Sequence, residues 1–240
     1  MLGTIAIDVR ADETYRSASS GFSFTLPEGW QRYSDDMLQQ MTRRVSSAAA
    51  QSAMRWDAGF GRKSDPPFTY PYVLVQVVPY PAGGGVPNEQ QMKQIVQQLA
   101  GASPQDIKKY TSEETQKLMG DAGPSIQAPV FDANNKTVDY AVKLDLPGIG
   151  QVSGITRGHF GRNALVQVAC YSLASDMPKY RADFDKFENS FSFDSASAYP
   201  SGVFSAIARG GVNGGLIGAG IGAVIGVTIA IVAALRKKRA

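Results

Sequence analysis

Residues 138–146 alternate between apolar and polar side chains. The apolar members of this alternation are Val138, Tyr140, Val142, Leu144 and Leu146. A period of two places them on one side of the backbone, so the segment predicts a strand with one face in the core. Strand-like sequence continues at 151–160 and 164–172, after turn residues at 147–150 and 161–163. Together the segments predict an antiparallel meander of strands.

Two segments outside the meander also have the character of strands. Residues 72–78 are apolar except for Gln76, a pattern typical of a central strand that is buried on both faces. Near the N-terminus, Ile5, Ile7 and Val9 alternate with polar or small residues, which predicts a half-buried strand.

Apolar residues at helical spacing predict several helices. The clearest begins at Asn88, which we expect to be the N-cap of a capping box completed by Gln91, and ends at Gly101. The other helices are predicted over 35–54, from Ser103 towards Gly120, and from Asp176 to a short strand at 191–193. This order of elements predicts an α+β fold in which helices sandwich an antiparallel sheet.

The segment Gly210–Leu235 contains no charged residue and predicts a transmembrane helix. Its apolar part, Leu216–Leu235, would be about 30 Å long as a helix, which is the thickness of a bilayer core. A basic tail follows at 236–240, made of Arg236, Lys237, Lys238, Arg239 and Ala240. We therefore expect a single-pass protein of the cytoplasmic (inner) membrane.

The orientation of this span stays open between two alternatives. The basic tail favours a cytoplasmic C-terminus, which would place the domain outside the cytoplasm. Export needs a signal peptide, and the N-terminus has neither a basic start nor an apolar core of roughly 7 to 15 residues. Either a signal peptide lies upstream of Met1, or the protein is tail-anchored with a cytoplasmic domain.

Small residues recur at every fourth position of the predicted span. They are Gly210, Gly214, Gly218, Gly222, Gly226, Ala230 and Ala234. Such a stripe lets helix backbones approach closely in lipid, so it predicts self-association of the span. The alternative is a chance spacing within a glycine-rich helix.

Charge and cysteine content exclude several classes of function. Residues 206–240 hold five of the 24 basic residues and no acidic residue, so residues 1–205 carry 19 basic and 21 acidic groups. Because this region is not basic, nucleic-acid binding is not expected. The single cysteine excludes an internal disulfide and a cysteine-rich zinc site. We expect no metal and no cofactor.

The lone cysteine and the lone histidine are not placed for nucleophilic catalysis. If 161–163 is a hairpin turn, Cys170 lies opposite residue 154 or 155, roughly 13 to 16 Å from His159. A Cys–His pair needs hydrogen-bond distance. We therefore interpret Cys170 as a core residue and His159 as a rim or surface residue, and we expect no catalytic residue.

The proline-rich segment 61–72 contains aromatic residues that form a candidate partner surface. They are Phe68, Tyr70 and Tyr72. A loop that simply leads into the strand at 72–78 explains these residues equally well.

Two motifs look like the two ends of PsbP-like domains, a superfamily that includes the bacterial DcrB proteins. They are GFSFTLPEGWQRYS at Gly21–Ser34 and YRADFDKFENSFSF at Tyr180–Phe193. The resemblance covers roughly Ser20 to Asp194. It implies the PsbP-like α+β fold, and an accessory, assembly or ligand-binding protein rather than an enzyme.

The chain is thus divided into an N-terminal strand or extension (1–19), a PsbP-like domain (20–195), a linker (196–209), the span (210–235) and the basic tail (236–240). We expect a membrane-anchored, non-catalytic module that binds a protein partner or a small ligand. Two alternatives are a structural component that works through its glycine stripe, and an enzyme whose catalytic groups form no recognisable motif.

Overall fold

The structure is a computed structural model that describes residues 13–45, 56–80, 85–101, 103, 105, 112, 113, 116, 117, 123–146 and 148–200. The strands are β1 Glu13–Ser17, β2 Phe22–Leu26, β3 Trp30–Arg32, β4 Trp56–Arg62, β5 Tyr72–Pro79, β6 Ser125–Ile126, β7 Val130–Asp132, β8 Thr137–Leu146, β9 Gly150–Phe160, β10 Ala164–Leu173 and β11 Ser192–Phe193. The helices are α1 Asp35–Val45, α2 Glu89–Ala100 and α3 Met177–Asn189.

The strands form two antiparallel sheets. The larger sheet has the order β3-β4-β5-β10-β9-β8-β6, with β7 also paired to β8, and the smaller one has the order β1-β2-β11. The predicted meander is confirmed, because β8, β9 and β10 are hydrogen-bonded neighbours. Cys170 lies opposite Ile155, as expected from a hairpin turn at 161–163.

The larger sheet separates two apolar cores. One core lies under α1 and α2 and includes Met41, Met92 and Leu99. The other lies under the smaller sheet and α3 and includes Phe24 and Phe187. The predicted α+β class with an antiparallel sheet is therefore confirmed, with helices on one face and a helix beside a second sheet on the other.

Strand β5 contributes to both cores. Tyr72 and Leu74 point into the core under the helices, whereas Val73 and Val75 point into the core under the smaller sheet. Because successive side chains of a strand face opposite sides, a strand in this position is apolar on both faces, and Gln76 is a buried polar exception. The prediction of a central strand buried on both faces is confirmed.

Helix α2 has the predicted ends. The Asn88 side chain accepts from the Gln91 N–H at 2.9 Å, and the Gln91 side chain accepts from the Asn88 N–H at 2.9 Å. The Gly101 N–H donates to the Gln97 carbonyl at 3.0 Å. These bonds satisfy backbone groups that a helix terminus otherwise leaves unpaired.

Strand β4 was not predicted, and its Gly61 was assigned to a loop. The segment WDAGFGR has no regular alternation because Gly59 and Gly61 interrupt it. Both positions exclude a side chain, since a Cβ would lie 2.7 Å from Leu38 at Gly59 and 2.0 Å from the Tyr33 hydroxyl at Gly61. The short strands β6 and β7 were also missed.

Several predicted elements lie outside the described residues. They are the strand at 5–9, the second half of the helix predicted over 35–54, most of the helix between Ser103 and Gly120, the span Gly210–Leu235 with its small-residue stripe, and the basic tail. Of the helices in the described ranges, none combines the length and apolar character needed to cross a membrane.

Candidate functional site

A polar cleft of about 700 Å³ lies between β1, α1 and the start of β4. It is lined by Tyr15, Arg16, Ser17, Ala18, Ser19, Arg32, Asp35, Asp36, Leu38, Gln39, Thr42, Arg43, Trp56 and Asp57. Its volume lies within the range of small-ligand pockets, about 300 to 1,000 Å³.

Asp57 occupies a bulge at the edge of this cleft. The pairing of β4 with β5 shifts between Trp56 and Ala58, which leaves Asp57 as the extra residue. Trp56 points into the core under the helices, and Ala58 into the core under the smaller sheet. Bulges redirect side chains and are frequent beside functional sites. Here the bulge turns the Asp57 carboxylate towards β1.

Hydroxyl groups of β1 and its following turn converge on this carboxylate. Ser17 Oγ donates to Asp57 Oδ2 at 3.0 Å, and the Tyr15 hydroxyl donates to the same oxygen at 3.5 Å. Ser19 Oγ donates to Asp57 Oδ1 at 3.5 Å. The Ser17 bond is the shortest of the three, and because hydrogen bonds to a charged acceptor are stronger than neutral ones, it contributes most to holding the carboxylate in the cleft wall.

Arg32 places a positive charge beside Tyr15. Its guanidinium carbon lies 5.5 Å from the centre of the Tyr15 ring, and its Nη2 donates to Asp35 Oδ1 at 2.6 Å. Burial, and then the charge of Asp57, raise the pKa of the Tyr15 hydroxyl. Tyr15 therefore keeps its proton and remains a hydrogen-bond donor in the cleft.

The cleft carries charges of both signs in equal number. Its cations are Arg16, Arg32 and Arg43, and its anions are Asp35, Asp36 and Asp57. Such a lining suits a polar ligand that is neutral or zwitterionic better than one with a large net charge. Neither a histidine nor a cysteine is among the lining residues that the structure describes.

The candidate partner surface on the 61–72 segment is corrected by the structure. Phe68 and Tyr72 are buried, and Tyr70 is half-buried. The Phe68 N–H donates to the Tyr33 hydroxyl at 3.1 Å, and the two rings lie 4.6 Å apart. This contact turns the loop inward, so Phe68 and Tyr72 are core residues that a partner does not reach.

Cys170 and His159 are placed apart. Cys170 is fully buried, and burial raises the pKa of its thiol. Its opposite residue on β9 is Ile155, four positions from His159 and hence about 13 Å away. The His159 ring stacks on Phe191 at 3.8 Å at the rim of the core under the smaller sheet. The structure therefore does not bring the two side chains together.

A second group of ionisable residues lies near His159. Arg157 donates to Asp139 at 2.7 and 3.3 Å and to the Asn189 side chain at 2.9 Å. Glu188 is only 6% exposed, and burial raises its pKa to about 7 against the opposing effect of Arg157. This group links α3 to the sheet.

The hydroxyls around Asp57 and the ionisable residues near His159 each correspond to a weak pattern in the sequence. Tyr15, Ser17 and Ser19 are spaced by two, which places three hydroxyls on one side of an extended chain. Glu188 follows Phe184 by four residues, which places an acid on the buried face of α3. We assigned no role to these residues from the sequence.

Among the described residues, no group of three or more His, Cys, Asp or Glu side chains is placed to hold a metal ion.

No family model and no curated protein matches the chain. The solved structures similar to it include the following two. The solution structure of cyanobacterial PsbP (CyanoP) from Synechocystis has 12% identity and a TM-score of 0.46, over 80% of this chain and 99% of that chain. The crystal structure of LpqN from Mycobacterium tuberculosis, involved in cell envelope biogenesis, has 9% identity and a TM-score of 0.36, over 76% of this chain and 90% of that chain. At these scores neither similarity assigns a function, and membership of the PsbP-like and DcrB-like group stays a prediction.

Proposed function

We propose that this protein is a non-catalytic binding module, held at a membrane by residues 210–235, whose ligand or partner occupies the cleft between β1 and α1. The observation that carries the proposal is the Asp57 carboxylate, redirected by a bulge and held by hydroxyls of β1. A preformed polar group in a concave site is the usual basis of specific recognition.

The chemistry of the cleft supports binding over catalysis. Its Asp57 carboxylate is held by hydroxyl donors, and its other aspartates and its arginines add hydrogen-bond acceptors and donors for a polar ligand. The resemblance of the two sequence motifs to PsbP-like domains supports the same class of accessory protein. An enzyme that uses these carboxylates remains the less favoured alternative, and turnover of a ligand captured in the cleft would establish it.

The predicted span supports attachment to a membrane. Its length matches a bilayer core, and the basic tail resembles the flank of a membrane helix. We propose an inner-membrane location with the domain outside the cytoplasm, and the tail-anchored orientation is the alternative. Alkaline extraction of the full chain, beside a chain shortened after Pro200, tests the anchor. Release of both forms into the soluble fraction would contradict it.

A photo-crosslinking amino acid tests the cleft directly. Gln39 lines the cleft on α1, whereas Gln90 is exposed on α2 and serves as the matched control. In native membranes we expect an adduct at Gln39 and not at Gln90, and we expect Asp57→Asn to remove it. Equal adducts at both positions, or an adduct indifferent to Asp57→Asn, would contradict binding in the cleft.

A second candidate function is oligomerisation through the span. The observation that favours it is the spacing of four between the small residues from Gly210 to Ala234. We expect the pair Gly218→Leu and Gly222→Leu to abolish self-association, and the pair Ile221→Leu and Ile225→Leu to preserve it. Equal association of both double variants in bilayers would remove this candidate.

A further inference from the structure

The turn between β1 and β2 belongs both to the cleft and to the C-terminal end of the described chain. Ser19 of this turn lines the cleft. Gly21 at its end accepts from the Asp194 N–H at 2.8 Å. Gly21 has a φ of +61°, and a Cβ there would lie 2.1 Å from Ser197 Oγ. One wall of the cleft is therefore packed against the segment that precedes the predicted anchor.

This segment, residues 194–199, is called the strap. The Arg162 N–H donates to the Ser197 carbonyl at 2.8 Å, and the Tyr199 hydroxyl donates to the Pro87 carbonyl at 2.8 Å. These bonds hold the strap across the end of the larger sheet at which β9 turns into β10. The chain leaves the described domain at this end.

The reach of the linker between the strap and the predicted span, compared with the length of the larger sheet, indicates which end of the domain faces the bilayer. Residues 200–209 separate the strap from the predicted span and reach at most about 36 Å when fully extended. The opposite end of the sheet lies about 33 Å away, since β10 has 10 residues. If the domain rested on that opposite end, the linker would have to run back along the whole length of the sheet in an almost fully extended form. The strap therefore favours an orientation in which the cleft end faces the bilayer.

We propose that the cleft binds the headgroup of a zwitterionic phospholipid, such as phosphatidylethanolamine, at the bilayer surface. This inference rests on the proposed anchor and names the ligand class of the proposed site. The ammonium group would donate to Asp57, and the phosphate would accept from Arg32, whose guanidinium lies over the Tyr15 ring in the cleft. An anionic headgroup without an ammonium group would meet the aspartates of the cleft as well as its arginines, and it would leave the Asp57 charge uncompensated.

The orientation is tested by fluorescence quenching in nanodiscs that contain phosphatidylethanolamine. The full chain carries a fluorophore at Ser19→Cys in the cleft, or at Ser64→Cys in the exposed loop at the other end of β4. Wild-type chain controls for labelling of the buried Cys170. A quencher attached to the lipid headgroups should quench position 19 strongly and position 64 weakly. Equal quenching, or stronger quenching at 64, overturns the proposed orientation.

The ligand is tested by native mass spectrometry of the full chain released from nanodiscs of mixed composition. We expect a retained phosphatidylethanolamine adduct, reduced about tenfold or more by Asp57→Asn and by Arg32→Gln, because each removes a charge-assisted hydrogen bond. Asp145→Asn, on the exposed side of β8, is the control and should retain it. Equal retention of phosphatidylglycerol, or adducts that persist in both cleft variants, overturns the lipid assignment.

Two further outcomes distinguish a failure of the lipid assignment from a failure of the membrane anchor. Binding of free phosphoethanolamine as tightly as the lipid would identify a soluble ligand and overturn the lipid source. A full chain that never enters the nanodiscs would remove the anchor, and the proposed function would then fail together with this inference.

Discussion

Glu188 and His159 are expected to make opposite contributions to the pH dependence of the free energy of unfolding. Burial raises the pKa of Glu188 from 4.5 to about 7. Between these values the folded state holds a proton that the unfolded state has lost, so the free energy of unfolding falls as pH rises. The contribution of Glu188 is fully present below pH 4.5 and is lost by about pH 7. The loss is roughly 3 kcal/mol.

His159 acts in the opposite direction. Its Nε2 is buried without a hydrogen-bond partner, and burial, followed by the charge of Arg157, lowers its pKa from 6.5 to about 3. The unfolded state binds a proton in this interval and the folded state does not. The free energy of unfolding therefore falls as pH drops from 6.5 to about 3. This loss is roughly 5 kcal/mol.

The two effects overlap between pH 4.5 and 6.5. Each has a slope of about 1.4 kcal/mol per pH unit there, with opposite sign, so they cancel. Glu188→Gln should remove the contribution of Glu188 and leave that of His159, so the free energy of unfolding of this variant should rise with pH across this window. At about pH 8 this variant should exceed the wild type by roughly 3 kcal/mol. His159→Asn should leave a free energy of unfolding that falls as pH rises across this window. Any further loss of stability from this substitution should be the same at every pH.

Urea unfolding of the full chain in non-ionic detergent measures these slopes. The chain has two tryptophans, and both Trp30 and Trp56 are buried in the described domain, so their fluorescence reports its unfolding. If Glu188→Gln has the same slope as the wild type, the reasoning is refuted. Glu188 would then be ionised in the folded state beside Arg157.

Three further predictions concern packing and hydrogen bonding in the domain. Tyr33→Phe should lower the free energy of unfolding by about 1 to 3 kcal/mol, because it leaves the buried Phe68 N–H without an acceptor, and denaturant unfolding measures this. Gly158→Ala should cost about 1 to 3 kcal/mol, because a Cβ would lie 2.8 Å from Val138 Cγ1. Gly101→Ala, whose Cβ would meet nothing closer than 3.5 Å, is its control in thermal unfolding, and equal losses would refute the packing argument. Asn88→Ala should cost about 1 kcal/mol by removing the capping box, and hydrogen exchange should increase in the first turn of α2 and not in α3.

The elements that could be predicted are those whose signals lie within a few consecutive residues. The alternation from Val138 to Leu146 and the capping pair Asn88 and Gln91 are local patterns, and the structure confirms both. Strand β4 was missed because Gly59 and Gly61 remove its alternation. The reason for those glycines is the close approach of Tyr33 and Leu38, which the local sequence does not reveal.

The cleft could not be predicted, because its contacts join residues that are distant in the sequence. Ser17 and Asp57 are 40 residues apart, and the bulge that redirects Asp57 arises from its pairing with β5. The same limitation explains the error at Phe68. An aromatic residue in a proline-rich loop resembles a partner surface until its contact with Tyr33, 35 residues away, is known.

The central claim is that the cleft of a membrane-held domain is occupied in its native lipids. Hydrogen exchange of the full chain, compared between native-lipid nanodiscs and lipid-free detergent, tests it most directly. We predict slower exchange in native lipids for peptides of β1 and α1, and unchanged exchange for β10 at the centre of the larger sheet. Unchanged exchange in β1 and α1, or protection confined to other surfaces, would contradict the account.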